Sequence, residues 1–418
     1  MSVAARNRVA VALAVLAFVA AVVASPNFRV EDGPHAEAFA GDFVHEWVGA
    51  WMVAHGDRAR FYDPGYARAV QHDPAAMGFT WDAGQWLPVV YPPFWYVVVE
   101  PLRLLPFRVA ALVFVGMMAA CFAATVALLL RAAPARRPLL PWMLVASAAF
   151  APLWASLLSA QKGTLLLLLF TATWLLLARG RSAAAGAVFG LVAFKPQLLP
   201  VVAGAMLLRG DRRFVAGLAA ALAVLAAVSL GVGVDVCRQY LAVAATAGRY
   251  VDTPGFPLAQ MHCWYGFFRL LLPGAPLAVV QAATALAIAA TLAAVAALLR
   301  GTPGPAPDAL GFAGLVVATI LASFHLLQYD LTLLLLPAWL VATRLVDRDP
   351  TVERHRLALA ALLGALVGAA GLSAAVVGAT RVQPTVPLLF ALLVVLARVP
   401  RAAPAVNPAA AWAMQRGR

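Results

Sequence analysis

Apolar residues along this chain come in long unbroken runs, not at alternate positions. The runs occupy 9–24, 107–130, 139–158, 164–178, 183–194, 198–208, 214–234, 276–300, 308–324, 331–346, 357–378 and 385–399. They are rich in Leu, Ala and Val and lack the period-2 alternation of a barrel strand, so each predicts a helix. A bilayer core about 30 Å thick takes about 20 helical residues to cross at 1.5 Å each. The runs 183–194 and 198–208 fall short of that and predict two half-helices, a hairpin turning at Lys195-Pro196-Gln197. Irregular backbone at membrane depth survives only where protein or a water-filled cavity surrounds it, so the break hints at a cavity. The stretch from Tyr91-Pro92-Pro93 to Leu105-Pro106 is apolar but carries Glu100, Arg103 and four prolines. It predicts a juxtamembrane or re-entrant helix with a proline in its first turn. The expected architecture is an all-α polytopic membrane bundle of about a dozen spans, one integral membrane domain over residues 1–418.

Composition makes lipid the solvent of this bundle. With 63% hydrophobic and 12% charged residues, a soluble fold would expose large apolar patches. The first run follows Arg6 and Arg8 and resembles a secretory signal, but no persuasive cleavage site follows, so it reads as a retained helix. The net charge of +13 does not indicate nucleic acid, because the basic residues are dispersed between apolar runs. They report topology instead. With the N-terminus in the cytoplasm, 19 Arg and 5 acids fall inside, against 12 basic and 13 acidic residues outside, as the positive-inside rule requires. This orientation, in a bacterial inner membrane, makes 25–90 and 235–275 the two large periplasmic loops. Cys121, Cys237 and Cys263 lack metal-ligand spacing. A Cys237–Cys263 bridge is allowed but not favoured, no cofactor is expected, and a divalent metal at Asp42 and Glu46 is an open alternative, not the expectation.

The polar residues able to do chemistry gather on the periplasmic side. Residues 38–54 have helical periodicity, with Phe43, Trp47, Ala50, Trp51 and Ala54 on one face and Asp42, His45, Glu46 and Gly49 on the other. That pattern predicts a helix lying in the membrane interface. A solvated polar face is the simpler account, yet two acids at i,i+4 repel unless a cation or substrate offsets them. Lys162 and Lys195 are the only lysines. Snorkelling explains Lys162 well, whereas Lys195, at the break between half-helices, is placed to meet a phosphate. The segment Ser323 to Asp330 sets His325, Gln328, Tyr329 and Asp330 between two apolar runs, and an ionisable cluster there is a site hypothesis. Arg269, beside the aromatics of Trp264-Tyr265-Gly266-Phe267-Phe268, is suited to a lipid phosphate, as are Arg103 and Arg108.

Taken in order, these motifs resemble glycosyltransferase family 87, the polyprenyl-phosphate-sugar-dependent transferases of the GT-C superfamily. The carriers are Gly41-Asp42-Phe43, Phe61-Tyr62-Asp63-Pro64, Tyr91-Pro92-Pro93, Pro101-Leu102, Leu105-Pro106, Gln161, Lys195-Pro196-Gln197, Trp264 to Arg269, and His325 with Tyr329-Asp330-Leu331. The resemblance implies a multi-helix bundle whose first outer loop carries the catalytic acid. Asp42 would then be the general base, activating an acceptor hydroxyl on a glycolipid or glycan. That hydroxyl attacks the anomeric carbon of a sugar on a polyprenyl phosphate, with inversion. His45, Glu46, Tyr91, Arg103, Gln161, Lys195, Gln197, Arg269, His325, Tyr329 and Asp330 would bind substrate, the cations stabilising the departing phosphate. Mannose is the commonest donor sugar, with arabinofuranose or another pentose as alternatives. The chain departs from the family pattern at two places. Ala160-Gln161-Lys162 stands where Gly-Gln and a small polar residue are usual, and His45-Glu46-Trp47 replaces a tyrosine-bearing stretch. The rival function is a lipid or solute transporter, which would usually show internal repeats and midplane charges; neither is seen.

Overall fold

A computed structural model of the chain describes residues 2–28, 39–78, 80, 84, 86–246, 251–252, 255–300, 304 and 306–400. Among them there are helices and turns but no strand, apart from an isolated antiparallel bridge between Met261 and Leu327. Every predicted run has its helix. Six are long and apolar enough to cross a membrane: Val3–Ala24, Phe107–Ala132, Arg212–Val232, Leu277–Leu299, Gln328–Val346 and Arg356–Thr380. The pair Pro134–Ala148 and Ala151–Leu158 makes a seventh if taken as one span, and the remaining apolar helices are shorter. The protein is therefore a multi-pass helical membrane protein. Leu13, Leu16 and Val19 on the first helix are exposed, as suits a helix whose solvent is lipid.

Two expectations need correction. The run 139–158 is not one straight span but is bent by 72°. Pro152, the second residue of the second arm, has no N–H to donate backward, and the Trp154 indole satisfies the Ala148 carbonyl at 2.7 Å. The helix expected over 38–54 begins only at Phe43, because Ala40 and Gly41 both take left-handed backbone angles, φ 59° and 56°. The break at Lys195 lies where the sequence puts it. Lys195, at φ −125° and ψ 74°, separates two 3₁₀ turns, Leu191–Phe194 and Pro196–Leu198, and the following proline disfavours helical angles there.

The chain forms two compact units. The first comprises Met1–Ala148, Leu153–Leu165 and Leu222–Phe256, and the second Ala149–Pro152, Leu166–Ala221 and Pro257–Arg418. In the first, the helix Phe43–His55 packs on Pro93–Val99 and the turn Glu100–Leu104. The Phe43 ring lies 5.5 Å from that of Phe107 and 5.3 Å from that of Phe114. Proline at the first turn of Pro93–Val99 matches expectation, and this seven-residue helix is too short to cross on its own. The second unit is built round the helix Ala309–Ala322, which is buried continuously from Leu310 to Leu321. Leu277–Leu299, Leu335–Val346, Thr385–Arg398 and Pro200–Leu208 pack round it. An apolar surface on every side needs such a central place.

Candidate functional site

The first unit assembles its polar residues from two left-handed turns. The amide of Ala40 donates to the Asn27 carbonyl at 2.6 Å, and the Asn27 amide group donates to the Leu158 carbonyl at 2.9 Å. A Cβ on Gly41 would stand 3.4 Å from Ser159 Cα, in a backbone region L-residues rarely adopt. Asp42 follows, at the N-cap of Phe43–His55, but its side chain does not cap the helix. The second turn contains Ala160, also left-handed at φ 49°, and is closed by Gln161 N donating to the Ser156 carbonyl at 2.7 Å. These turns bring Gln161 Nε2 to Asp42 Oδ2 at 2.5 Å. A carboxylate only accepts, so the amide nitrogen must face it. Asp42 is half-buried, while the other amide atom, Gln161 Oε1, is buried without a hydrogen-bond partner among the described residues.

One turn along the helix the surroundings change. Glu46 is fully buried and accepts from both Lys162 Nζ and the Trp95 indole. His45 Nε2 lies 3.3 Å from Glu46 Oε1. The Lys162 ammonium sits 3.7 Å from the Tyr91 ring centroid and 5.3 Å from that of Trp95, within cation–π range. His45 stacks on Tyr91 at 5.3 Å. Burial alone would raise the Glu46 carboxyl above its ordinary range. The Lys162 charge and the neighbouring His45 imidazole outweigh it and hold the group at about 2. Tyr96 holds the Tyr91-Pro92-Pro93 turn, its hydroxyl accepting from Val90 N at 3.1 Å and Tyr91 N at 3.0 Å. Gly49 admits the Tyr96 ring, since a Cβ there would lie 2.1 Å from it. Glu46 thus does not face solvent as the amphipathic pattern predicted, and Lys162, fully buried, does not snorkel.

The second unit gathers the other candidates. Lys195 Nζ lies 2.5 Å from Asp330 Oδ1, both side chains nearly buried, and 4.8 Å from the Tyr329 ring centroid. Gln197 Nε2 donates to the His325 carbonyl at 3.3 Å, and Ser323 Oγ donates to the same oxygen at 2.9 Å. Burial, with the Lys195 cation, pushes the His325 imidazole down to about 4. His262 N donates to the Leu326 carbonyl at 2.9 Å beside the Met261–Leu327 bridge, and His262 Nδ1 meets Thr385 Oγ1 at 2.7 Å. The residues just before Trp264 and the segment Ser323 to Asp330 are therefore neighbours.

Of the sequence-predicted residues, Asp42, His45, Glu46, Tyr91 and Gln161 come together in the first unit, and Lys195, Gln197, His325, Tyr329 and Asp330 in the second. Arg103 joins neither group by any contact seen here. It pairs with Glu100 at 2.5 Å within one 3₁₀ turn. Arg269 lies in the last turn of Trp264–Leu271. Lys162 and Trp95 were missed. An indole beside a Tyr-Pro-Pro motif and a lysine accounted for by snorkelling were the only signals. The three cysteines are free.

Comparison with known proteins adds one match. The model of glycosyltransferase family 87 fits residues 89–323, more than half of the chain. The match includes Tyr91, Gln161, Lys162, Lys195, Gln197 and Arg269, ends before His325, Tyr329 and Asp330, and begins after Asp42, His45 and Glu46. No curated protein and no solved structure matches.

Proposed function

Because this chain belongs to glycosyltransferase family 87, and so is a membrane glycosyltransferase and not a transporter, we propose that it transfers a sugar, mannose first among the candidates, from a polyprenyl-phosphate donor. The acceptor is a hydroxyl of a glycolipid or glycan, and the reaction takes place at the periplasmic face of an inner membrane with the N-terminus inside. Asp42 is the general base. Its carboxylate removes the hydroxyl proton as the acceptor oxygen bonds to the anomeric carbon, and the sugar–phosphate bond breaks with inversion. A base so placed supplies about 10²–10⁴-fold. The leaving phosphate needs a cation, and Lys195 is the candidate at a break in helical backbone, paired with Asp330. Arg103 and Arg269 are the alternatives.

The observation that carries this reading is the contrast between two acids one helical turn apart. Glu46 is enclosed by Lys162 and Trp95, whereas Asp42 is half-buried with, among the described residues, a single amide donor directed at it. Of the two, only Asp42 has exposed surface from which to take a substrate proton. The test is Asp42→Asn in membranes given radiolabelled polyprenyl-phosphate mannose or polyprenyl-phosphate arabinofuranose. Transfer to membrane acceptors is expected to vanish at unchanged protein abundance. Full transfer by that variant removes Asp42 from the chemistry, and label entering only from the pentose donor replaces mannose.

A further inference from the structure

Gln161 and Lys162 are consecutive, and each holds one acid of the same helix. Gln161 donates to Asp42 at 2.5 Å, and Lys162 donates to Glu46, the residue one turn on. From this geometry we infer that Gln161 and Lys162 form a two-point clamp that positions Asp42, with Lys162 acting through Glu46 and not on substrate. The inference rests on Asp42 being the base.

Three features of the site support the clamp. First, the Lys162 ammonium has no route to substrate chemistry of its own. Its side chain is fully buried, with Glu46 on one side and the Tyr91 and Trp95 rings over it. Second, the two contacts lie four residues apart on the helix. A helix sliding along its axis or turning about it would have to break both. An apolar pair would tolerate such movement, whereas a buried carboxylate left without its cation would not. Third, the clamp is mounted on an anchored frame. Asn27 ties the Ala40 turn to Leu158, and Ala160, next to Gln161, holds a left-handed conformation that surrounding structure must enforce. Buried ion pairs are weak stabilisers, because desolvation offsets their attraction, so a pair kept at this depth is better explained by the geometry it fixes.

The test uses the full chain in membranes with polyprenyl-phosphate mannose as donor, and the arabinofuranose donor beside it. Glu46→Gln combined with Lys162→Met removes both charges while keeping an acceptor for the Trp95 indole, so no lone charge is left buried. The double variant is expected to accumulate normally. Half-saturating donor concentration should stay within about twofold while the saturated rate falls about 10²-fold, the penalty of a misplaced catalytic group. Carbodiimide labelling of Asp42, read by mass spectrometry, should rise severalfold as the carboxylate leaves Gln161. Gln161→Leu is expected to do the same through the other contact. An unchanged saturated rate with unchanged labelling overturns the clamp, and so does failure of both variants to accumulate, since the residues would then hold the fold and not the acid. The labelling does not depend on activity. A wild-type rate in Asp42→Asn would therefore remove the base assignment alone, and the labelling would still decide the clamp.

Discussion

Two lysines, each paired with an acid and each beside a histidine, serve this protein differently. Glu46–Lys162 in the first unit is enclosed among the described residues. The carboxylate also accepts an indole N–H, the ammonium lies over two aromatic rings, and neither side chain has exposed surface. Lys195–Asp330 in the second unit is nearly as buried, but its lysine occupies the non-helical residue between two 3₁₀ turns and has one aromatic ring, Tyr329, over it. In the roles proposed above, the same charges form a positioning device on a fixed frame and, at a backbone break, a cation that exchanges its partner for a phosphate. Burial alone does not separate these roles. What the neighbours leave unsatisfied does.

The sharpest way to break this contrast is to remove each lysine singly. Lys162→Met leaves Glu46 charged and sealed, and a severed buried pair costs about 3–5 kcal/mol. Melting of the detergent-solubilised protein should register that loss. Lys195→Met leaves Asp330 buried and should lose stability too, but it alone should also raise half-saturating donor concentration, by at least about tenfold, the equivalent of one lost charge-assisted hydrogen bond. If both variants lose stability equally and both keep donor affinity, the two pairs are equivalent and Lys195 has no phosphate role.

Acid should also distinguish the two units, and in a definite order. His325 is held at about 4 against an ordinary 6.5, by burial first and the Lys195 cation second. His262 is held by burial at about 3. For such groups the unfolded chain binds protons more readily, so stability falls as pH drops from 6.5 towards 4. Glu46 behaves otherwise. Held at about 2 against an ordinary 4.5, it gives its full contribution above pH 4.5 and loses it only as pH falls from there towards 2. Hydrogen exchange followed by peptide should therefore show faster opening around residues 323–334 near pH 5, with residues 43–55 still protected, and opening of the latter only near pH 3. Simultaneous opening, or the reverse order, would contradict the assigned burial of His325.

Hydropathy made the helices legible because lipid demands continuous apolar runs, and Pro93 and Pro196 marked a start and a break by their missing N–H. The bend at 149–150 was not legible, since Leu-rich composition is the same on both sides of it and Pro152 resembles an ordinary first-turn proline. The base role proposed for Asp42 came from the resemblance alone. The enclosure of Glu46 was hidden because it depends on a lysine 116 positions away, and a lysine at the end of an apolar run looks the same whether it snorkels or is buried. One clue was present in plain view. The two places where the chain departs from the family pattern, His45-Glu46 and Lys162, are the two that meet. Together they supply one acid and its cation.

The smallest expected effect tests the frame beneath the first pair. Ala160 is buried and left-handed, a conformation that costs an L-residue about 1–2 kcal/mol and which glycine adopts freely. Ala160→Gly relieves that strain, but it also loses a buried methyl worth about 0.8 kcal/mol and adds unfolded-state entropy worth about 0.5–1 kcal/mol. These contributions nearly cancel, so melting should move by no more than about 0.5 kcal/mol and the saturated rate should not change. Had Ala160 been helical, the same substitution would cost about 1 kcal/mol with nothing to offset it. Ala160→Val removes the cancellation, because a β-branched residue at positive φ is a genuine outlier. It should lower stability and pull Gln161 from Asp42 together, reducing the saturated rate in step with the melt. A glycine variant as damaging as the valine variant would mean that this turn is not left-handed, and Gln161 would then lack the frame that directs it to Asp42.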